Sequence, residues 1–150
     1  MSAVHNTKST TTPTPCTGGQ FCSARLCVHA QPRGGAVVIS VTGELDASNV
    51  DNLAGCAKAC YTSGHSFVLD FSELKFFGAQ GIRSLFEIAD ECDGNGSQWA
   101  FIPSREVTRL LGICDKDDRL PTAESFDAAL EKLSARSRAR RLLQLVTKSG

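Results

Sequence analysis

No stretch of the 150-residue sequence approaches the roughly 20 consecutive apolar residues that cross a bilayer. The polar, Thr-rich beginning lacks the apolar segment of a secretion signal, so a cytoplasmic location without a membrane span is expected. Motifs that cradle phosphate or hold catalytic zinc are missing as well: there is no GxxxxGK followed by Ser or Thr, no GxGxxG, no HExxH and no CxxC. The three histidines, His5, His29 and His65, are scattered. Acidic residues near predicted strand ends, Glu44, Asp46, Asp70 and Glu73, allow an acid/base dyad to be drawn, but no nucleophile or metal-ligand set accompanies them. The chain is therefore not expected to be an enzyme or to need a cofactor or metal, and those carboxylates read as solvated loop groups or helix caps.

Net charge is absent too, yet the balance of 16 Lys and Arg against 16 Asp and Glu is uneven along the chain. Residues 1–20 carry only Lys8, and residues 134–150 carry Arg136, Arg138, Arg140, Arg141 and Lys148 with no acid. Residues 21–133 are left with a balance of about −6, the 16 acids outweighing the remaining cations. Such a body argues against direct DNA binding by the core, which rests largely on neutralising phosphates with Lys and Arg. Seven cysteines are an odd number in a chain large enough to fold without staples, so mostly free thiols are expected.

Residues 1–20 hold Thr, Ser, Pro and Gly with almost nothing to bury and are expected to be a disordered arm. Alternation over Arg25 to Gln31 gives a strand, and Pro32-Arg33-Gly34-Gly35 turns it into a second, Ala36 to Leu45, as an antiparallel hairpin. Ser48 with Asp51 has the form of a capping box, opening a helix with Val50, Leu53, Ala54, Ala57 and Tyr61 on one face. SFVLDF (66–71) is nearly all apolar and short, which suits a central parallel strand. The Gly78 to Gly81 turn leads into a second helix stopped at Asp93-Gly94-Asn95-Gly96. Strand QWAFI (98–102), a helix from Pro103-Ser104, a short edge strand within Arg119 to Pro121 and a helix over Phe126 to Leu133 complete the order.

This order predicts an α/β fold: a mixed, mostly parallel sheet opened by an antiparallel hairpin, with helices against it. Right-handed crossovers bring strand C-termini and helix N-termini to one edge, where ligands and partners bind. That edge holds Gly43 to Ser48, Phe77 to Gly81 and Pro103 to Arg105. Beyond Ser134, Leu142, Leu143 and Val146 fall about half a turn out of phase with the preceding helix face. Residues 134–150 are accordingly expected to be a basic amphipathic tail, set apart from a domain spanning 21–133.

Two stretches, VTGELDASNVDNL (41–53) and FVLDFSELKFFGAQGIRSL (67–85), resemble in order and spacing the two signature regions of STAS domains, the fold of bacterial anti-anti-sigma factors. QWAFI and PSREVTRLLGI are similar to the family's next strand and helix, so the resemblance covers about residues 25–133. In phosphorylation-controlled members the turn carries Asp-Ser-Ser/Thr-Gly, and its first hydroxyl is the target of an anti-sigma factor that doubles as a serine kinase. Here the four positions are Gly78, Ala79, Gln80 and Gly81. The phospho-acceptor position is thus Ala79, which cannot acquire the charge of about −1.5 to −2 that a phosphate would add. The resemblance implies a non-catalytic regulatory module that binds an anti-sigma factor of the serine-kinase ATPase fold and releases a sigma factor, without that switch. The contact surface it implies is Glu44, Asp46, Ser48 and Asn49 together with Gly78, Ala79, Gln80, Gly81 and Arg83.

Cys60, Cys92 and Cys114 each continue an apolar helix face near a helix C-terminus, on the edge opposite the partner edge. Two readings stay open: small buried hydrophobes, or redox groups of a thiol-responsive scaffold protein with no sigma-pathway role, in which a Cys92–Cys114 bridge would close a loop. Cys56 and Cys60, one turn apart, suit two ligands of a soft metal, but no second pair completes a site. Cys16, Cys22 and Cys27 read as exposed spectator thiols or an oxidant-sensitive arm.

Overall fold

Gly34 and Gly35 have φ of 60° and 84° and turn β2 (Leu26–Arg33) back on β3 (Ala36–Leu45), which pair antiparallel from Leu26↔Gly43 to Arg33↔Ala36. Positive φ at both positions of a two-residue turn follows the strand twist, and glycine adopts it without strain. The computed structural model describes residues 20–116 and 119–149. The expected arm, Cys16 included, lies outside the described residues except for Gln20.

The second half of the order forms as the apolar pattern predicts, except for an added strand at Leu74–Phe77 and a longer last helix. Helix α1 (Val50–Thr62) leads to β4 (Phe67–Asp70), β5 (Leu74–Phe77), α2 (Ala79–Asn95), β6 (Trp99–Ile102), α3 (Arg105–Cys114) and α4 (Phe126–Ser149). β3 pairs parallel with β4 over Val37 to Ser40, and β4 with β6, so β4 lies inside the sheet. Every residue of β6 is buried, as are Phe67, Val68 and Leu69 of β4, because helices cover both faces. One core joins Ile39, Leu69, Phe101 and Trp99 to α1, α2 and α3 through Leu53, Leu85 and Val107. A smaller one joins Val68, Ala100 and Ile102 to α4 through Ala129 and Leu133.

The structure departs from the expected local pattern at six places. Gln20–Cys22 form a strand, β1, paired antiparallel with Cys27 to His29, so the sheet takes in Gln20 of the expected arm. The register sets Cys22 opposite Cys27, and the two form a disulfide, so these thiols are not free. The capping box does not form: Asn49 precedes α1 as its N-cap and makes no side-chain cap bond, while Ser48 turns to Asp46. Leu74–Phe77 is a strand, paired with the far end of β3 through an irregularity between Gly43 and Glu44. The short edge pairing falls at Thr122, bridged to Phe101, one residue past the expected segment. At the C-terminal end α4 continues without a break through Ser149.

Candidate functional site

The C-terminal ends of β3, β4, β5 and β6 and the N-terminal ends of α1, α2 and α3 share one edge, because the four strands run parallel. β2 runs the other way, which brings its start, and the turn from β1, to the same edge.

The loop after β3 is held by contacts that begin at Gly43. Its φ is 101°, and an added Cβ would lie 2.2 Å from the Arg25 carbonyl oxygen. Only glycine permits that approach, which lets the Glu44 N–H donate to the Arg25 carbonyl at 2.8 Å. The Arg25 guanidinium then bridges the Glu44 carboxylate, at 3.2 Å, and the Asp46 carboxylate. Asp46 also accepts from the Ser48 hydroxyl at 2.6 Å and the Ser48 N–H at 2.9 Å. The Ser48 hydroxyl bond, aided by the Ser48 N–H and the Arg25 charge and opposed by desolvation, holds the Asp46 carboxyl below its usual value. Asn49 is only 5% exposed: its Nδ2 donates to the Glu44 carbonyl at 2.9 Å and its Oδ1 accepts from the Asp46 N–H at 3.0 Å. Asn49 therefore fixes the loop from inside, while Glu44 and Ser48 present exposed groups.

The start of α2 is tied to this loop. The Gly78 N–H donates to the Leu45 carbonyl at 3.0 Å, and the Gly81 N–H to the Gly78 carbonyl at 2.9 Å. Ala79, Gln80 and Arg83 are exposed. Gly81 is buried and points inward, where an added Cβ would meet Phe77 Cε1 at 2.6 Å. The structure thus gathers the predicted residues on one edge but divides their roles: Glu44, Ser48, Ala79, Gln80 and Arg83 face outward, whereas Asn49 and Gly81 support them.

Two neighbours were missed by sequence reasoning. Arg25 sits in the turn between β1 and β2, 19 positions from Glu44, and nothing local announces that pairing. Phe76 is 51% exposed beside Gly78, an aromatic of the kind that anchors protein interfaces. Its ring is one of three apolar side chains in Leu74–Phe77, and it faces outward next to exposed Lys75 once that segment pairs as a strand.

Three of the four carboxylates weighed as an acid/base dyad are engaged in loop structure, Glu44 and Asp46 with Arg25 and Asp70 with the Ser72 hydroxyl at 2.6 Å, while Glu73 is exposed. Among the described residues no group of three His, Cys, Asp or Glu is placed to hold a metal ion. Of the cysteines considered for redox chemistry, Cys60 and Cys92 are buried in the larger core and Cys114 is exposed at the end of α3. Cys92 and Cys114 are both free thiols, so the bridge between them is not made. Burial, with Asp93 and Glu91 adding to it, pushes the Cys92 thiol up to about 12, and burial pushes Cys56 up to about 11. Both are protonated at neutral pH and poor nucleophiles.

Comparison with known proteins agrees with this architecture. The STAS domain model matches residues 28–129. Osmosensory protein A of Mycobacterium tuberculosis is 35% identical over 121 residues, covering 77% of this chain and 77% of that protein. The anti-sigma-F factor antagonist RsfA of the same species is 28% identical over 123 residues, covering 77% of this chain and 96% of its own length. The crystal structure of an anti-sigma factor antagonist from Mycobacterium paratuberculosis superposes with a TM-score of 0.66 at 20% identity, covering 73% of this chain and 94% of that one. Among the described residues no helix is long and apolar enough to cross a membrane.

Proposed function

The chain belongs to the STAS domain family, and from that premise we propose that it is a non-catalytic anti-sigma factor antagonist whose docking edge is not switched by phosphorylation at the helix turn. The partner in this reading is an anti-sigma factor of the serine-kinase ATPase fold, met in the cytoplasm, and its capture frees a sigma factor. The relation to RsfA supports the general role. The observation that carries the specific reading is the bond between Gly78 and Leu45, which joins the loop 44–49 to the exposed start of α2 as one surface.

Ala79 is exposed at the first position of α2, where a hydroxyl would be open to a kinase and a phosphate would enlarge and charge the docking face. The neighbouring hydroxyls do not replace it. Ser84 is buried within α2, and Ser72 lies before β5 with its hydroxyl donated to Asp70. Glu44, Ser48, Gln80, Arg83 and Phe76 supply contacts, with Phe76 as apolar anchor and the charged groups setting orientation. Two of the three thiols of the thiol-responsive alternative, Cys60 and Cys92, are enclosed in the larger core and do not support it.

Titration calorimetry with the cognate anti-sigma factor, with and without ATP, tests the reading. Wild type is expected to bind equally in both conditions, and Ala79→Glu and Phe76→Ala to bind at least about tenfold more weakly, the scale of a moderate interface contact. ATP-dependent loss of binding with stoichiometric phosphate on Ser72 would refute independence from phosphorylation. Full affinity in both variants would move the docking surface elsewhere.

A further inference from the structure

The last 16 described positions of α4 combine two features that the proposed docking edge does not use. Residues 134–149 carry five cations, Arg136, Arg138, Arg140, Arg141 and Lys148, and no acid. The same stretch exposes four large apolar side chains: Leu142 at 62%, Leu143 at 66%, Leu145 at 60% and Val146 at 69%. At 100° per residue, Leu142 and Val146 lie about 180° and 140° around the helix from Leu133, which is buried against the sheet. The helix is continuous, so a turn of the chain cannot bring them back onto the core.

We infer that this half of α4 is a surface anchor for an anionic lipid membrane, lying in the interface with Leu142 and Val146 inserted and the cations at headgroup level. A short apolar cluster is too little to hold a protein on a bilayer by itself, and basic groups near an anionic surface supply the second attraction that such anchors need. The charge pattern selects this occupant over others. A second copy of the helix would set five cations against five, with no acid in either segment to offset them. Nucleic acid would satisfy the cations and leave the four apolar groups in water. A protein groove that takes an amphipathic helix reads anchors spread over i, i+3 or i+4, and i+7, whereas these anchors occupy only 142–146. The start of the segment stays beside the body, where Arg136 donates to the Trp99 carbonyl at 3.4 Å and Leu143 borders a pocket with Asp93, so the inserting groups are Leu142 and Val146, on the far side of the helix from Leu133.

Vesicle co-sedimentation of the full chain tests the inference, with vesicles of phosphatidylcholine alone or mixed equally with phosphatidylglycerol. Binding is expected to the mixed vesicles only and to fall with added salt. Arg140→Gln with Arg141→Gln should lower the partition coefficient by roughly thirtyfold, two surface charges' worth. Leu142→Ser with Val146→Ser should abolish binding while leaving the thermal midpoint unchanged, which separates loss of the anchor from loss of the fold. Equal binding to both vesicle types, or undiminished binding by the Ser variant, would overturn the proposal. So would duplex DNA binding that the Ser variant retains, or a dimer in sedimentation that the Ser variant loses, each of which assigns the segment to another occupant.

Discussion

Gly43→Ala is the substitution that most directly tests how the fold builds the docking edge. Alanine at a φ of 101° costs about 1–3 kcal/mol in conformational strain. Its Cβ would also stand 2.2 Å from the Arg25 carbonyl oxygen, so β2 must move away and the Glu44 to Arg25 hydrogen bond, worth about 1 kcal/mol, is lost. The sum is about 2–4 kcal/mol, or roughly 8–16 °C in thermal midpoint for a domain of this size. Gly35→Ala is the matched control, because φ there is 84° but nothing lies within 4 Å of the added Cβ. Differential scanning calorimetry of both variants should show a loss at Gly43 that exceeds the loss at Gly35 by about 1 kcal/mol or more. The Gly43 variant should also weaken partner binding, since displacing Arg25 removes the cation that organises Glu44 and Asp46. Equal losses in the two variants would show that the backbone conformation alone, and not the close approach of Arg25, makes glycine necessary.

Further outcomes follow from the titrating groups. The Asp46 carboxyl is held below its usual value near 3.8, so its stabilising contribution is present above that pH and is lost as pH falls through the lowered folded value. Asp46→Asn should therefore melt below wild type at pH 7, and the gap should close as pH is taken below about 4; a gap that persists at pH 2 refutes the role of the charged form. Cys56 and Cys92, raised to about 11 and 12 from 9.0, should resist a thiol reagent at pH 8 in the folded protein, while exposed Cys114 reacts. The unfolded chain ionises these thiols first, so stability should fall as pH rises above about 9. Rapid labelling of Cys92 at neutral pH, located by peptide mapping, would contradict its enclosure.

What the sequence by itself determined is whatever a local period or a local turn encodes. The Gly34-Gly35 hairpin, the central strand at Phe67, the three helices of the larger core and Ser104 as N-cap of α3, accepting from the Val107 N–H at 3.2 Å, all follow from residues a few positions apart. The two signature stretches identified the family because their order and spacing survive as plain text. Leu74–Phe77 escaped notice as a strand because it is buried at both ends and exposed between them, a pattern without the two-residue period of a strand.

Tertiary structure alone decided which groups the edge presents. Ser48 could cap α1 or bond to Asp46, and the nearness of Arg25, which holds Asp46 in place, goes with the second arrangement. Gly81 could face a partner or the core, and the position of the Phe77 ring fixed it inward. Cys22 and Cys27 became a pair only through the register of β1 on β2, and Arg25 met Glu44 only because Gly43 lets two backbone segments touch. Each of these choices depends on which surfaces are brought together after the sheet forms, and a local pattern of residue types does not contain that information.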